Sequence, residues 1–414
     1  MHPATEVFVD SKRIWEELEH LGGLSSTEAP SVTRILFTET DLKGRAYVRE
    51  LMLEAGLTVI EDAVGNITGR WLGEMEDLAR IGSGSHCDAI PHAGRFDGTV
   101  GVLGGIEAVR ALRAAGFKPK RSIDIIMFTS EEPTRFGIGC CGSRLLGGAL
   151  GPSSLAELKD SDGISFDQAR TSAGYTGPLA SVPLKGNEYK AFVELHVEQG
   201  PVLEAESLDI GVVTAIAAPA SLELTFEGSG GHAGTVLMGD RRDALIPPAI
   251  LAAHAEELAV NSDSKDTVAT VGILEVYPGA VNSIPRKVRM TIDIRDTQLK
   301  TRDVVVSKIE ERAEVLASER DLKLEMRTIN SDEPAFANNE LIAAIEDAAC
   351  EFKSRRMVSR AYHDALFMAK VAPMGMIFVP SKGGISHRPE EYTSPDEIKQ
   401  GVMVLAKTLA KLAC

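Results

Sequence analysis

The stretch from Arg80 to Phe128, RIGSGSHCDAIPHAGRFDGTVGVLGGIEAVRALRAAGFKPKRSIDIIMF, decides the fold class. Its opening, RIGSGSHCDAI, reads as a strand that runs out into polar residues. A glycine-initiated helix follows in DGTVGVLGGIEAVRALRAAG, and SIDIIMF is a short apolar run of buried-strand character. Strand, helix, strand in this order predicts an α/β unit, a mostly parallel central sheet flanked by helices. KAFVELHVEQG, residues 190–200, repeats the pattern of an apolar strand with a polar end.

Working outward, apolar residues recur at helical spacing over Ser11–Leu21 and Asp41–Ala55, and residues 57–71 read as β-type. The texture changes near residue 212. Two alternating β-rich stretches, 211–234 and 267–296, surround an apolar helix at 244–260; a helix at 301–320 and a strand at 323–329 follow. This predicts an α+β insert of roughly 120 residues, a normal domain size. The α/β texture then resumes through a helix, the strand MGMIFVP and a terminal helix. The expected organisation is a first domain in two parts, 1–212 and 330–414, with an inserted domain over 213–329.

Composition is that of an ordinary globular chain, 44% hydrophobic and 25% charged. Acidic residues outnumber basic ones by 60 to 44, a formal charge of -16, which argues against nucleic acid and against an anionic membrane surface as partners. A small anionic substrate is not excluded, since it needs only a local positive clamp. The five cysteines, Cys87, Cys140, Cys141, Cys350 and Cys414, lack metal-type spacing and are odd in number, so free thiols are expected. No apolar run reaches transmembrane length and MHPATEVFVD has no signal-peptide character. A processed chain would look the same, so localisation is left open.

The polar residues at the strand ends carry the chemistry. His86 and Asp88 lie in SHCDAI, Asp97 in GRFDGTVG, Glu131 and Glu132 in FTSEEPTRFG, His196 in LHVEQG and His387 in GGISHRPEEY. Ligand sites in open α/β sheets form at the carboxyl ends of strands. Each residue alone has an ordinary structural explanation: a strand-end histidine is commonly a surface group, Asp97 could cap the following helix, and adjacent glutamates could be a solvated loop. Those explanations leave the repeated strand-end placement unaccounted for. Two metal ions explain it, because imidazole and carboxylate suit zinc, manganese, cobalt or nickel. Metals about 3.5–4 Å apart acidify a water and polarise a carbonyl. Of two successive carboxylates one binds metal, leaving its neighbour as general base.

At these residues the chain resembles the dinuclear-metal amidohydrolases of the aminoacylase and carboxypeptidase superfamily, within its carbamoylase and ureide-hydrolase branch. The resemblance spans nearly the whole chain and rests on GSHCDAIPHAGRFDGTVGVL, TSEEPTRFGIGCCGSR, LHVEQGPVLE, GSGGHAGTVLM, AVNSIP, DIRD, HDA and GGISHRPEEYTSP. It implies that His86, Asp97 and His196 hold one metal and that Asp97, Glu132 and His387 hold the other, with Asp97 bridging. It further implies Glu131 as the base and Asp88 as the carboxylate orienting His86, a sound device for fixing a tautomer. The insert would be a dimerisation lid on a catalytic domain, making the protein a homodimer. His232 would stabilise the oxyanion and, with Gln199, Asn282 and Arg295, hold the substrate. Arg295 suits a carboxylate through its planar fork; without the resemblance it reads as a strand-surface charge flanked by Asp293 and Asp296. A histidine at 196, where peptidase-like relatives carry a carboxylate, is the mark of the ureide branch.

The implied cofactor is two divalent ions per subunit, manganese first, with zinc, cobalt or nickel also suitable. The implied reaction is hydrolysis of a linear ureide carrying a carboxylate, (S)-ureidoglycolate first. Allantoate and N-carbamoyl amino acids are the alternative substrates, and an inactive binding relative is the alternative of another class. A plant member without its targeting segment implies the endoplasmic reticulum, any other member the cytoplasm. Val236, Leu237 and Tyr362 depart from the pattern at positions that bear on pocket shape. His363 has two readings, a residue fixed by Asp364 or a substrate contact.

Overall fold

A computed structural model describes residues 7–414. Two compact units divide them, Ala215–Ala335 and the remainder.

The larger unit is built on a nine-stranded sheet. Its four central strands, in the order Met374–Val379, Tyr189–Val197, Arg80–His86 and Ile123–Phe128, are mutually parallel. Every residue of Ile123–Phe128 and Met374–Val379 is buried. Helices cover both faces of such a sheet, so the strands are apolar runs without alternation. Antiparallel strands extend it on both sides: Ile67–Trp71 and Thr58–Glu61 beyond Ile123–Phe128, and Ile210–Ile216 beyond Met374–Val379. The expectation of a mostly parallel sheet therefore describes its centre. On one side the outermost pair, Thr58–Glu61 with Ile67–Trp71, is a hairpin, which needs no crossover helix.

The helix Thr99–Ala114 is the expected crossover between Arg80–His86 and Ile123–Phe128, and almost all of it is buried. A Cβ on Gly101 would lie 2.4 Å from the Leu195 carbonyl oxygen, so glycine there lets the helix seat against the sheet. Ser11–Gly23 and Pro395–Leu412 pack with it around one continuous apolar core. Pro395–Leu412 begins with a capping box, Ser394 with Glu397.

The strand Ile210–Ile216 belongs to this sheet through Met376, Ile377 and Phe378. The change of texture near residue 212 thus falls inside a strand that the first sheet retains, and the compact units part at 214/215 and 335/336.

The smaller unit is a four-stranded antiparallel sheet ordered Val268–Tyr277, Lys287–Asp296, Ala218–Glu227, Lys323–Ser331. Helices Ile246–Val260 and Leu299–Glu319 pack on one face. Ala218–Glu227 and Lys287–Asp296 alternate between buried and half-buried residues, as a sheet covered on one face must. Leu222, Leu224, Phe226, Val288, Met290 and Ile292 form its core against Leu251, Val305 and Ile309. All five cysteines are free thiols. Among the described residues no helix is long and apolar enough to cross a membrane.

Candidate metal centre

The larger unit gathers its polar strand ends at one place, as the parallel strands dictate. His86 is the last residue of Arg80–His86, His196 the penultimate residue of Tyr189–Val197, and Glu131 and Glu132 follow Ile123–Phe128 by three and four positions. Asp97 stands just before the helix Thr99–Ala114. It does not cap that helix: the N-cap is Gly98, with no side-chain capping bond. Asp97 is 8% exposed and turns into the cluster instead.

Two groups of ligand-type side chains share Asp97. His86, Asp97 and His196 offer atoms within 4.8 Å of one another, and so do Asp97, Glu132 and His387. The two carboxylate oxygens of Asp97 divide between them. Oδ1 lies 3.5 Å from His86 Nε2 and 3.2 Å from His196 Nε2, while Oδ2 lies 3.3 Å from His387 Nε2. Glu132 Oε1 is 3.5 Å from the same His387 nitrogen.

The donor set suits divalent cations. His86 Nδ1 is 3.0 Å from the Asp88 main-chain oxygen and His196 Nδ1 is 2.9 Å from that of Val197. A carbonyl can only accept, so each Nδ1 carries the proton and each Nε2 turns toward Asp97. Electrostatics agree. Burial disfavours charge on His86, yet Glu131, Asp97 and Asp88 together raise its pKa well above the ordinary value. The Asp97 hydrogen bond, opposed by burial, raises His387 to about 9. Burial also opposes ionisation of Asp97, but the three histidines hold it well below the usual carboxylate range. Burial, with Glu131 and Asp97 beside it, pushes Glu132 well above that range. A pocket that draws protons onto its imidazoles is one that attracts a divalent ion in their place.

Asp88 supports the site differently from the expectation. His86 is oriented by the main-chain carbonyl of Asp88, and the carboxylate stands 3.7 Å from His86 Nδ1, beyond hydrogen-bond reach. That carboxylate accepts from the main-chain nitrogens of Glu131 at 3.2 Å and Glu132 at 3.0 Å. Burial raises its pKa to about 6. Glu131 belongs to neither group of ligand atoms. Its Oε2 lies 3.7 Å from His86 Nε2, and its Oε1 accepts a hydrogen bond from Cys140 Sγ at 3.5 Å.

Gln199 sits within the centre, not at a distance from it. Its Nε2 donates to Asp97 Oδ2 at 2.7 Å and reaches Ser386 Oγ at 3.3 Å. His363 is buried behind His196, with ring centroids 4.5 Å apart in a T-shaped arrangement, and its Nε2 is 2.8 Å from Ser359 Oγ. The expected partner, Asp364, accepts instead from Ser143 Oγ at 2.5 Å. Glu194, His196 and His363 form a third group of ligand-type atoms. Glu194 there already accepts from Ser85 Oγ at 2.7 Å and from Ala365 N at 2.8 Å, which makes it a support for the strand end.

Backbone strain collects here. Ser130, Cys140, Gln199 and His387 all have φ between 56° and 57°, a conformation that costs a non-glycine residue free energy and persists where surrounding contacts impose it. Gly98, at φ 66°, needs both its conformation and its missing side chain: a Cβ there would sit 2.4 Å from the His86 ring.

The remaining expected residues lie in the smaller unit. His232 and Asn282 are near neighbours: His232 pairs with Ser283 on the short strands Gly231–His232 and Ser283–Ile284, and Ala233 N is bonded to Asn282 O at 2.9 Å. His232 is exposed, and its Nδ1 accepts from Gly234 N at 3.1 Å. Arg295 Nε donates to Asp293 Oδ1 at 2.7 Å, the ion pair its flanking acids predict. The other flanking acid, Asp296, is buried and bonded to Ser264 and Thr267.

Sequence reasoning missed Glu391. It is 4% exposed, and its Oε1 accepts from Phe96 N at 2.8 Å and Asp97 N at 3.0 Å. In PEEY nothing local separates it from the exposed Glu390; only its distance of four residues from His387 marks it.

Similarity to known proteins agrees with this geometry. The chain is 52% identical to the ureidoglycolate hydrolase of Arabidopsis thaliana over 99% of its own length and 88% of that protein. It is 37% identical to the N-carbamoyl-L-amino acid amidohydrolase of Geobacillus stearothermophilus, covering 98% of this chain and 99% of that one. The crystal structure of AtUAH in complex with glyoxylate superposes with a TM-score of 0.93 at 52% identity, covering 98% of both chains. The family model for Peptidase family M20/M25/M40 matches residues 82–411. The chain belongs to this M20/M25/M40 family, on the branch that holds the carbamoylases and ureide hydrolases.

Proposed function

We propose that this protein is an amidohydrolase that cleaves the C–N bond of a linear ureide carboxylate, with (S)-ureidoglycolate as substrate and glyoxylate, ammonia and carbon dioxide as final products. The observation that carries this reading is the 52% identity with a ureidoglycolate hydrolase over 99% of the chain, against 37% with a carbamoylase. N-carbamoyl amino acids and allantoate are the competing substrates. They would call on the same catalytic groups and differ in pocket shape.

His86, Asp97 and His196 would hold one divalent ion and Asp97, Glu132 and His387 the other, with Asp97 shared. Mixed nitrogen and oxygen donors suit manganese, which we favour, and also zinc, cobalt or nickel. When bound, such a pair supplies a polarised carbonyl and a water of lowered pKa. Glu131 then acts as general base. It takes the proton of the water as oxygen bonds to the ureido carbon, and returns it to the leaving nitrogen. Its place beside both groups of ligands but in neither supports that role. Ammonia leaves, the carbamate loses carbon dioxide, and the hydroxyglycine that remains decays to glyoxylate and a second ammonia.

His232 is proposed as the oxyanion donor and Asn282 and Arg295 as substrate holders. His232 pairs with Ser283, and the next residue, Ala233, bonds the main-chain oxygen of Asn282, which supports a joint role. Gln199 contacts the Asp97 oxygen itself, so any hold on substrate comes from beside the metals. We also propose a homodimer formed through the smaller unit, the lid. Its strand Val268–Tyr277 is paired along one edge only among the described residues, and Ile273, Leu274 and Tyr277 are exposed on it. Light scattering on the purified protein tests the dimer.

The function is tested by ammonia release from ureidoglycolate, allantoate and a set of N-carbamoyl amino acids with added Mn2+. Ureidoglycolate is expected to give the highest kcat/KM. A higher value for either competitor would reassign the substrate, and no release from any of them would favour an inactive binding relative.

A further inference from the structure

Glu391 reaches two of the three chain segments that carry the second ligand group. Its Oε1 accepts from the main-chain nitrogens of Phe96 and Asp97, and its Oε2 accepts from Ser386 Oγ at 2.8 Å. Ser386 precedes His387, and its Oγ also lies 3.1 Å from Asp97 Oδ2. One carboxylate thus joins residue 97 to the loop at 386–387, almost three hundred residues along the chain, and a single hydroxyl closes the ring. The fold leaves room for it. Gly94 faces the Glu391 side chain so closely that a Cβ would stand 2.3 Å from Glu391 Cβ and 2.6 Å from Oε1. The loop it restrains needs restraint, because His387 holds a left-handed backbone and a side chain 49% exposed.

We propose that Glu391 is the positioning residue of the metal centre, setting the distance between the shared Asp97 and the loop of His387. It touches neither substrate nor the reacting atoms. It acts through the backbone of Asp97 and through Ser386, so its loss loosens the geometry of the second ion's site. This rests on the reading of Asp97 and His387 as ligands.

The test is Mn2+ titration of the metal-free protein by chelator competition, with circular dichroism to verify the fold and ureide hydrolysis followed separately at saturating Mn2+. Replacing a group that orients metal ligands typically weakens metal binding by about 10–100-fold, and Glu391→Ala is expected to show that loss at one of the two ions. Gly94→Ala leaves the carboxylate in the chain but displaces it, and is expected to show the same loss. Glu391→Gln keeps an oxygen for Phe96 N and Asp97 N and an amide that can bond Ser386, and should stay within about threefold of wild type. At saturating Mn2+ the Glu391→Ala protein should regain hydrolysis with unchanged KM, which a general loss of structure would not permit. Wild-type affinity for both ions in Glu391→Ala overturns the proposal, and so does a Glu391→Gln protein as weak as Glu391→Ala. Should the wild-type protein itself bind no pair of ions, the metal reading fails instead, a result distinct from either.

Discussion

The carboxylate of Asp88 accepts hydrogen bonds from the main-chain nitrogens of both Glu131 and Glu132, at 3.2 and 3.0 Å. The two adjacent acids therefore hang from one buried anchor, and their different tasks follow from where that anchor aims them. Glu132 points to His387 and Asp97, Glu131 to His86.

Asp88→Asn is expected to disturb both glutamates at once. An asparagine offers one acceptor and turns an amide donor toward a peptide N–H, leaving that pair unsatisfied. We expect about 10–100-fold loss in kcat together with reduced Mn2+ content. Unchanged metal content and turnover would mean the peptide nitrogens need no such anchor.

Glu131→Gln and Glu132→Gln separate base from ligand. The Glu131 variant is nearly isosteric and should keep two ions per subunit while losing turnover by the roughly 10²–10⁴-fold that general-base catalysis supplies. The Glu132 variant should lose metal instead. Metal analysis beside single-turnover rates decides the pair, and full occupancy in Glu132→Gln would reverse the assignment.

Gly98→Ala places a methyl group 2.4 Å from the His86 ring at a backbone conformation that alanine resists. Displacement of His86 should cut Mn2+ affinity by at least the roughly tenfold typical of disturbed ligand geometry. Metal titration at wild-type level would show that the ring accommodates the change.

Arg295→Lys tests the substrate clamp. Lysine retains charge but not the planar fork, so KM for carboxylate-bearing ureides should rise and kcat fall. The competing description is the observed pair with Asp293, a surface ion pair whose disturbance costs at most about 1 kcal/mol of stability. Wild-type kinetics with a small stability change would leave Arg295 in that structural role.

The α/β architecture and the candidate ligands were legible in the sequence because their signals are local. A buried parallel strand is an uninterrupted apolar run, as in SIDIIMF, and the residue that ends it must sit at the sheet's carboxyl edge. His86, Asp97, Glu131, Glu132, His196 and His387 could therefore be placed at one edge without coordinates. The inserted unit was equally visible, since an antiparallel sheet covered on one face alternates where the first sheet does not. Its boundary was blurred by Ile210–Ile216, a strand whose loyalty to the first sheet depends on Met374–Val379, far along the chain.

What the sequence by itself determined was which chemistry the chain carries and on which segments, because residue type and strand-end placement are local properties. Tertiary structure alone decided how the groups are held. His86 bonds the main-chain oxygen of Asp88 and not its carboxylate; Gln199 bonds Asp97; Glu391 is buried beneath the same loop while Glu390 beside it is exposed. The last two of these turn on hydrogen bonds between residues about a hundred to three hundred positions apart, and all stand among left-handed turns at Ser130, Gln199 and His387. Only the packed fold compensates the free energy of such turns and the burial of such carboxylates, and no short stretch of sequence records that balance.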